Sequence, residues 1–229
     1  MKTRKSLFGI AAVGLLLGGS AASAATITFA NAIASTGTGK GNVLGVVSVD
    51  NTPSEFGSAG WDGTNLTFSG DAFDTSNFFA RTVAELVTND ITGSFGIVFQ
   101  VNEAGAVKDV QLQQFGLTFF SSVGGVLFTA QYSGPTLDLA ATGQGTSGYL
   151  FNVLLSQTEI NQFFGNDANR IGGFVPSDSP ILETSDGSEN FFLVQGQPGT
   201  PIPEPASILL LGSGLAGLGG WRARRARTV

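Results

Sequence analysis

Cysteine and histidine are both absent from the 229 residues. Without cysteine there is no disulfide framework, no thiol nucleophile and no thiolate metal site. Without histidine there is no imidazole base, no serine–histidine–aspartate triad and no histidine-bound zinc or haem. Charge is scarce as well: Asp, Glu, Lys and Arg make up 12% of the chain, against the ~25% usual in soluble domains. The chemistry left open is that of carboxylates, lysine, tyrosine and calcium.

The few charges are unevenly placed. Lys2, Arg4 and Lys5 sit at the start, and Arg222, Arg224, Arg225 and Arg227 in the last eight residues. Between 25 and 203 only Lys40, Arg81, Lys108 and Arg170 face sixteen acids, a net charge of −12. Binding nucleic acid needs clustered cations to neutralise phosphates, and this segment has no such cluster. An acidic, lysine-poor body rich in small polar residues reads as an exported protein kept soluble by self-repulsion.

The N-terminus has three parts: basic Met1–Lys5, apolar Leu7–Leu17, then Ala22-Ser23-Ala24. That order is the pattern of a secretory leader, with signal peptidase expected to cut between Ala24 and Ala25. The alternative is a retained membrane anchor, but the apolar run falls well short of the ~20 residues a span needs.

The C-terminus has a similar division. Gly199-Thr200-Pro201-Ile202-Pro203-Glu204-Pro205 lacks backbone donors at its prolines and is held extended. Ala206 to Trp221 carries no charge. As a helix its sixteen residues would rise about 24 Å, a marginal membrane span. Trp221 suits the membrane interface, and the arginines after it are a stop-transfer cluster expected on the cytoplasmic side.

Pro203-Glu204-Pro205, the apolar Ser207–Leu218 stretch and Arg222–Arg227, in that order, resemble the PEP-CTERM sorting signal of Gram-negative bacteria. The resemblance covers about residues 201–229. It implies recognition by an exosortase, a membrane protease or transpeptidase, and delivery to the surface, often in producers of exopolysaccharide. It implies nothing about what the body does.

The body reads as all-β, a mainly antiparallel β-sandwich or jelly roll with one or two short helices. Residues 95–101 and 126–132 alternate as half-buried strands, which places Phe95, Phe99 and Phe128 inward. Further strands are expected at 26–29, 43–49, 65–69, 107–120, 149–155 and 191–194. Asn102–Gly105 is expected to join one hairpin and Gly124-Gly125 another. Ser156 and Glu159 have capping-box spacing for a helix over 157–164, ended by Gly165. A second helix is expected from Ser76 or Asn77 to Val87. No fixed repeat period marks a solenoid or propeller. The expected organisation is leader 1–24, body 25–196, proline-rich linker 197–205, and apolar helix with arginine tail 206–229.

Few groups in the body offer chemistry. Asp62, Asp71 and Asp74 lie close in sequence, so two of them could serve a glycoside hydrolase. Asp beside Gly, Asn and Ser equally builds turns. Asn166-Asp167-Ala168-Asn169 and Asp186–Asn190 offer calcium-type oxygens but match neither the EF-hand nor the RTX pattern. No metal or cofactor is expected. Gly37–Gly41 lacks phosphate-loop spacing. Trp61 and Tyr149 are candidate sugar platforms, with core packing as the plainer role for each.

These features lead to an expectation of a non-enzymatic surface or matrix protein, held briefly in the inner membrane and then sorted by an exosortase. Exopolysaccharide is its candidate partner. A carbohydrate-binding module and a carboxylate hydrolase are the alternatives.

Overall fold

The computed structural model describes residues 25–34, 44–50, 53–73, 77–102, 109–140, 147–184 and 187–195. The predicted leader, linker, apolar helix and arginine tail lie outside the described residues. Among the described residues no helix is long and apolar enough to cross a membrane.

The first strands are β1 (Thr26–Ala34), β2 (Leu44–Val49), β3 (Ser54–Glu55), β4 (Gly57–Trp61), β5 (Leu66–Gly70) and β6 (Arg81–Thr82), followed by helix α1 (Val83–Thr88). Next come β7 (Phe95–Val101), β8 (Asp109–Leu112), β9 (Phe115–Phe120), β10 (Val126–Tyr132), β11 (Leu137–Ala140) and β12 (Ser147–Leu154). Helix α2 (Gln157–Phe164) precedes β13 (Arg170–Val175), β14 (Ile181–Leu182) and β15 (Glu189–Val194).

The body is mostly β. Its large sheet runs β2-β15-β7-β12-β1-β10-β9-β13-β4-β5, with β6 on the side of β13. A small sheet runs β11-β8-β14-β3. The neighbours pair antiparallel, except that β1 and β10 run parallel. That parallel seam joins only Thr26 to Gln131 and Ile27 to Tyr132. The large sheet is therefore two halves held by a two-residue seam.

The sheet curls so that the halves face each other across a phenylalanine core. The Phe115 ring of β9 lies 4.8 Å from Phe151 of β12 and 5.0 Å from Phe191 of β15. Phe95 meets Phe119 at 6.4 Å, and Phe163 of α2 meets Phe119 edge-on at 4.8 Å. Phe95, Phe99, Phe115, Phe119, Phe151, Phe163 and Phe191 are all fully buried. With no disulfide among these residues, ring burial at roughly 1.5–3 kcal/mol per side chain is the main cohesive force.

Glycines admit the closest approaches. A Cβ on Gly172 would lie 2.0 Å from the Ala59 carbonyl oxygen. One on Gly173 would lie 2.6 Å from Val47, where β13 meets β2 from the opposite half of the sheet.

Several expectations are met closely. Strands β7 and β10 span the predicted residues, and α2 occupies 157–164 with the Ser156–Glu159 capping box formed. The β9–β10 turn forms at Gly124-Gly125, where Ser121 N–H donates to the Gly125 carbonyl and Gly124 takes φ 86°.

Others need correction. Strand β7 is not half-buried: all seven residues are buried, because β12 and β15 flank it and both faces are covered. It does not form a hairpin with β8, which pairs with β11 and β14 in the other sheet. The predicted single strand 107–120 is divided at Gln113-Gln114, where the chain passes from one sheet to the other. Phe128 is only half-buried, stacked on Phe119 at 4.3 Å, since β10 turns its first residues outward. The helix expected from residue 76 or 77 begins at Val83, because Arg81-Thr82 pair with β13 and Thr82 makes the cap with Glu85.

Candidate functional site

Trp61 ends β4 half-buried, with both polar and aromatic groups engaged. Its indole N–H donates to the Ser122 carbonyl at 3.1 Å. The Arg170 guanidinium lies 4.2 Å from its ring centroid, a cation–π contact that covers one face. Tyr149 is 9% exposed and donates its hydroxyl to the Ala140 carbonyl at 2.8 Å. Burial pushes its phenol above the ordinary range. Four strands, β1, β10, β9 and β13, separate β12 from β4 in the sheet. The two candidate rings therefore do not form one platform.

The carboxylates near Trp61 serve the backbone. Asp62 Oδ1 accepts from the amides of Thr64 and Asn65, each at 2.7 Å, which closes the β4–β5 turn. Those two amide bonds hold the Asp62 carboxyl below the usual carboxylate value. Asp71 Oδ2 accepts from Phe56 N–H at 3.1 Å on the neighbouring stretch. Asp74 lies outside the described residues. Of the three candidate carboxylates, the two described thus serve separate backbone amides.

The candidate calcium loop is also structural. Asn166 Oδ1 accepts from Ala168 N–H at 2.9 Å. Buried Asn169 joins three elements: its Oδ1 accepts from Ser122 N–H in the β9–β10 turn, and its Nδ2 donates to Phe163 at the end of α2. Its carbonyl accepts from Val83 N–H at the start of α1. In the second candidate loop, Asn190 accepts from the Ser48 hydroxyl at 2.7 Å and donates to the Ser188 carbonyl. Asp186 lies outside the described residues. No group of three acids, histidines or cysteines that could hold a metal occurs among the described residues.

Two buried groups have no role in the sequence analysis, Glu55 and Arg81, and buried Glu189 enters it only within the candidate loop Asp186–Asn190. Glu189 accepts from Asn102 N–H at 3.4 Å. Arg81 Nε donates to the Gly45 carbonyl at 2.9 Å, its Nη1 pairs with Glu85 at 3.2 Å, and another N–H reaches the Asn77 carbonyl. A basic residue in a two-residue strand just before a helix gives no periodic signal, so nothing in the sequence alone marks this node.

Ala25, the residue expected after leader cleavage, is buried at the start of β1. Ala24, Pro203, Glu204, Pro205, Arg222, Arg224, Arg225 and Arg227 lie outside the described residues. Residues 201–225 match the PEP-CTERM protein-sorting motif. The match includes Pro203-Glu204-Pro205 and all the terminal arginines except Arg227, which lies two residues beyond it. The motif marks an exported protein that an exosortase processes. No curated protein and no solved structure matches the chain.

Proposed function

We propose that this chain is a non-enzymatic surface or matrix protein, held briefly in the inner membrane by residues 206–221 and then cut by an exosortase near Pro203-Glu204-Pro205. The observation that carries the reading is the sorting motif at 201–225. An extended, proline-rich segment beside a marginal apolar helix suits a protease that works at the membrane. Signal peptidase removes residues 1–24, and the acidic body is delivered outside, where exopolysaccharide is its candidate associate. The backbone roles of Asp62 and Asp71 favour a structural body over a hydrolase.

Mass spectrometry of surface protein tests the sorting step. In a host with an active exosortase the mature chain should begin at Ala25 and lack residues beyond roughly 205. Removing the exosortase should leave a larger, membrane-bound form. Glu204→Ala should impair processing more than Ser207→Ala. A surface form ending in Arg227-Thr228-Val229 would make the tail a permanent anchor instead.

A further inference from the structure

Beyond sorting, the half of the large sheet built from β10, β9, β13, β4 and β5 keeps one face open to solvent. Residues opposed across neighbouring strands share a face, so the register defines this one. One row crosses all five strands: Gln131, Gly116, Phe174, Ser58 and Ser69. Thr129, Thr118 and Gly172 form the next row, and Phe120 pairs with Arg170 beyond it. The alternate residues, Leu117, Phe119, Ile171 and Val175 among them, point the other way into the core. Phe120 and Phe174 stand on the outer face, and both are partly exposed.

Glycines let both rings rest on the sheet. A Cβ on Gly116 would collide with the Phe174 ring, so that ring lies directly on the β9 backbone. Phe120 reaches across β13, where a Cβ on Gly60 of β4 would lie 3.4 Å from its Cζ. A ring held against backbone on one side offers its other side to solvent. Phe174 is four positions along β13 from Arg170, the partner of Phe120, so the two ring-bearing positions stand about 13 Å apart along the strands. Around them solvent reaches hydroxyls and amides: Thr67 and Ser69 on β5, Ser58 bonded to Ser69 at 2.7 Å, and Thr129 and Gln131 on β10.

We propose that this face binds a neutral polysaccharide, its sugar rings stacked on Phe120 and Phe174 and its hydroxyls bonded to the surrounding Ser, Thr and Gln. The proposal rests on the reading of an exported body beside exopolysaccharide and gives that partner a site. A sugar ring has an apolar C–H face and a rim of hydroxyls, and an aromatic plane among uncharged donors and acceptors matches both. Rings already held against backbone lose little freedom on binding. Charge selects the polymer. The five strands contain no Asp, Glu or Lys, and their one Arg, Arg170, is held by the Trp61 ring and the Ala80 carbonyl. Their face thus offers no cation to phosphate, sulfate or uronate. The net charge of −12 between 25 and 203 repels polyanions and anionic lipid besides. A neutral glycan meets neither obstacle.

Affinity electrophoresis of the full chain in mild detergent tests this, with hydroxyethyl cellulose, dextran or galactomannan in the gel and alginate as the anionic probe. Retardation by at least one neutral polymer, and not by alginate, is expected. Phe120→Ala and Phe174→Ala should each weaken it about tenfold. Phe120→Leu and Phe174→Leu keep the glycines covered, so the fold is retained, but they remove the aromatic plane and should weaken binding as well. Phe174→Tyr should preserve it. Circular dichroism checks each fold. Phe29→Ala, at an exposed ring on the other half of the sheet, should bind as the parent does. Retardation by none of the neutral polymers, stronger retardation by alginate than by any of them, binding indifferent to both Leu variants, or an equal loss in Phe29→Ala would overturn the proposal. The sorting reading is judged separately: a chain cut near residue 205 and found at the surface keeps that reading even where no ring-dependent retardation is seen.

Discussion

Arg170 lies over the indole of Trp61, 4.2 Å from the ring centroid, and its Nη1 also donates to the Ala80 carbonyl at 2.9 Å. One side chain thus ties the end of β4 to the segment leading into β6, and it does so from the first residue of β13. The only cation in the second half of the body is used to close the fold.

Arg170→Ala should therefore uncover the Trp61 ring. Trp61 and Trp221 are the chain's only tryptophans, so the difference in emission between variant and parent reports Trp61. A red shift is expected, with a stability loss of about 1–2 kcal/mol from the lost cation–π contact and hydrogen bond. Unchanged emission would mean that the ring is shielded by other groups.

Substitutions in the phenylalanine core should sort by burial. Phe95→Ala and Phe99→Ala, both fully buried, should each cost about 3–5 kcal/mol in denaturant unfolding. Phe128→Ala should cost less, roughly 1–2 kcal/mol, because that ring already reaches solvent. Thiol reductant should change none of these values. Equal losses at all three positions would place Phe128 in the closed core.

Gly173→Ala should destabilise by about 1–3 kcal/mol through overpacking against Val47. Gly172→Ala should be worse, since its Cβ would meet a backbone carbonyl oxygen that no rotamer change can move away. Thermal unfolding midpoints of the two variants check this order.

The helix starts should be separable from the core. Ser156→Ala and Thr82→Ala each remove a formed capping box and should cost about 1 kcal/mol. Gly in place of either cap should cost only a few tenths.

Acid should weaken the Thr82–Glu85 corner. Burial raises the Glu85 carboxyl, but the bonds from Thr82 and the Arg81 ion pair together outweigh it and hold the group below its ordinary value of 4.5. A carboxyl depressed in the folded state stabilises above its unfolded pKa, and that contribution is lost as pH falls through the folded value. Stability should accordingly drop as pH is lowered below about 4.5. Glu85→Gln should flatten that part of the profile, as measured by denaturant midpoints across the acid range.

Much of the fold is legible locally. Alternation over 95–101 and 126–132 marks two strands to the residue, and Ser156 with Glu159 marks a helix start, because each signal lies within one short segment. Strand β13 is harder to read. Its Gly172-Gly173 looks like a turn, yet the glycines serve close packing against β4 and β2, a requirement that arises only when distant strands meet. The candidate site shows the same division. Asp62 as a turn former could be read from its neighbours, whereas the cover on Trp61 depends on Arg170, more than a hundred residues away in the chain.

The sequence by itself determined the sorting tail, the absence of thiol and imidazole chemistry, the acidic balance and the predominance of β-structure. These follow from which residues are present and from spacings of a few positions. Only the tertiary structure decided that β7 is central and buried on both faces, that Asp62 and Asp71 serve separate backbone amides, and that β1 leaves β10 after two paired residues. Those outcomes depend on which segments come together across the sheet. That choice is made by the burial of phenylalanines contributed from the whole length of the body, and no local pattern of residues encodes it.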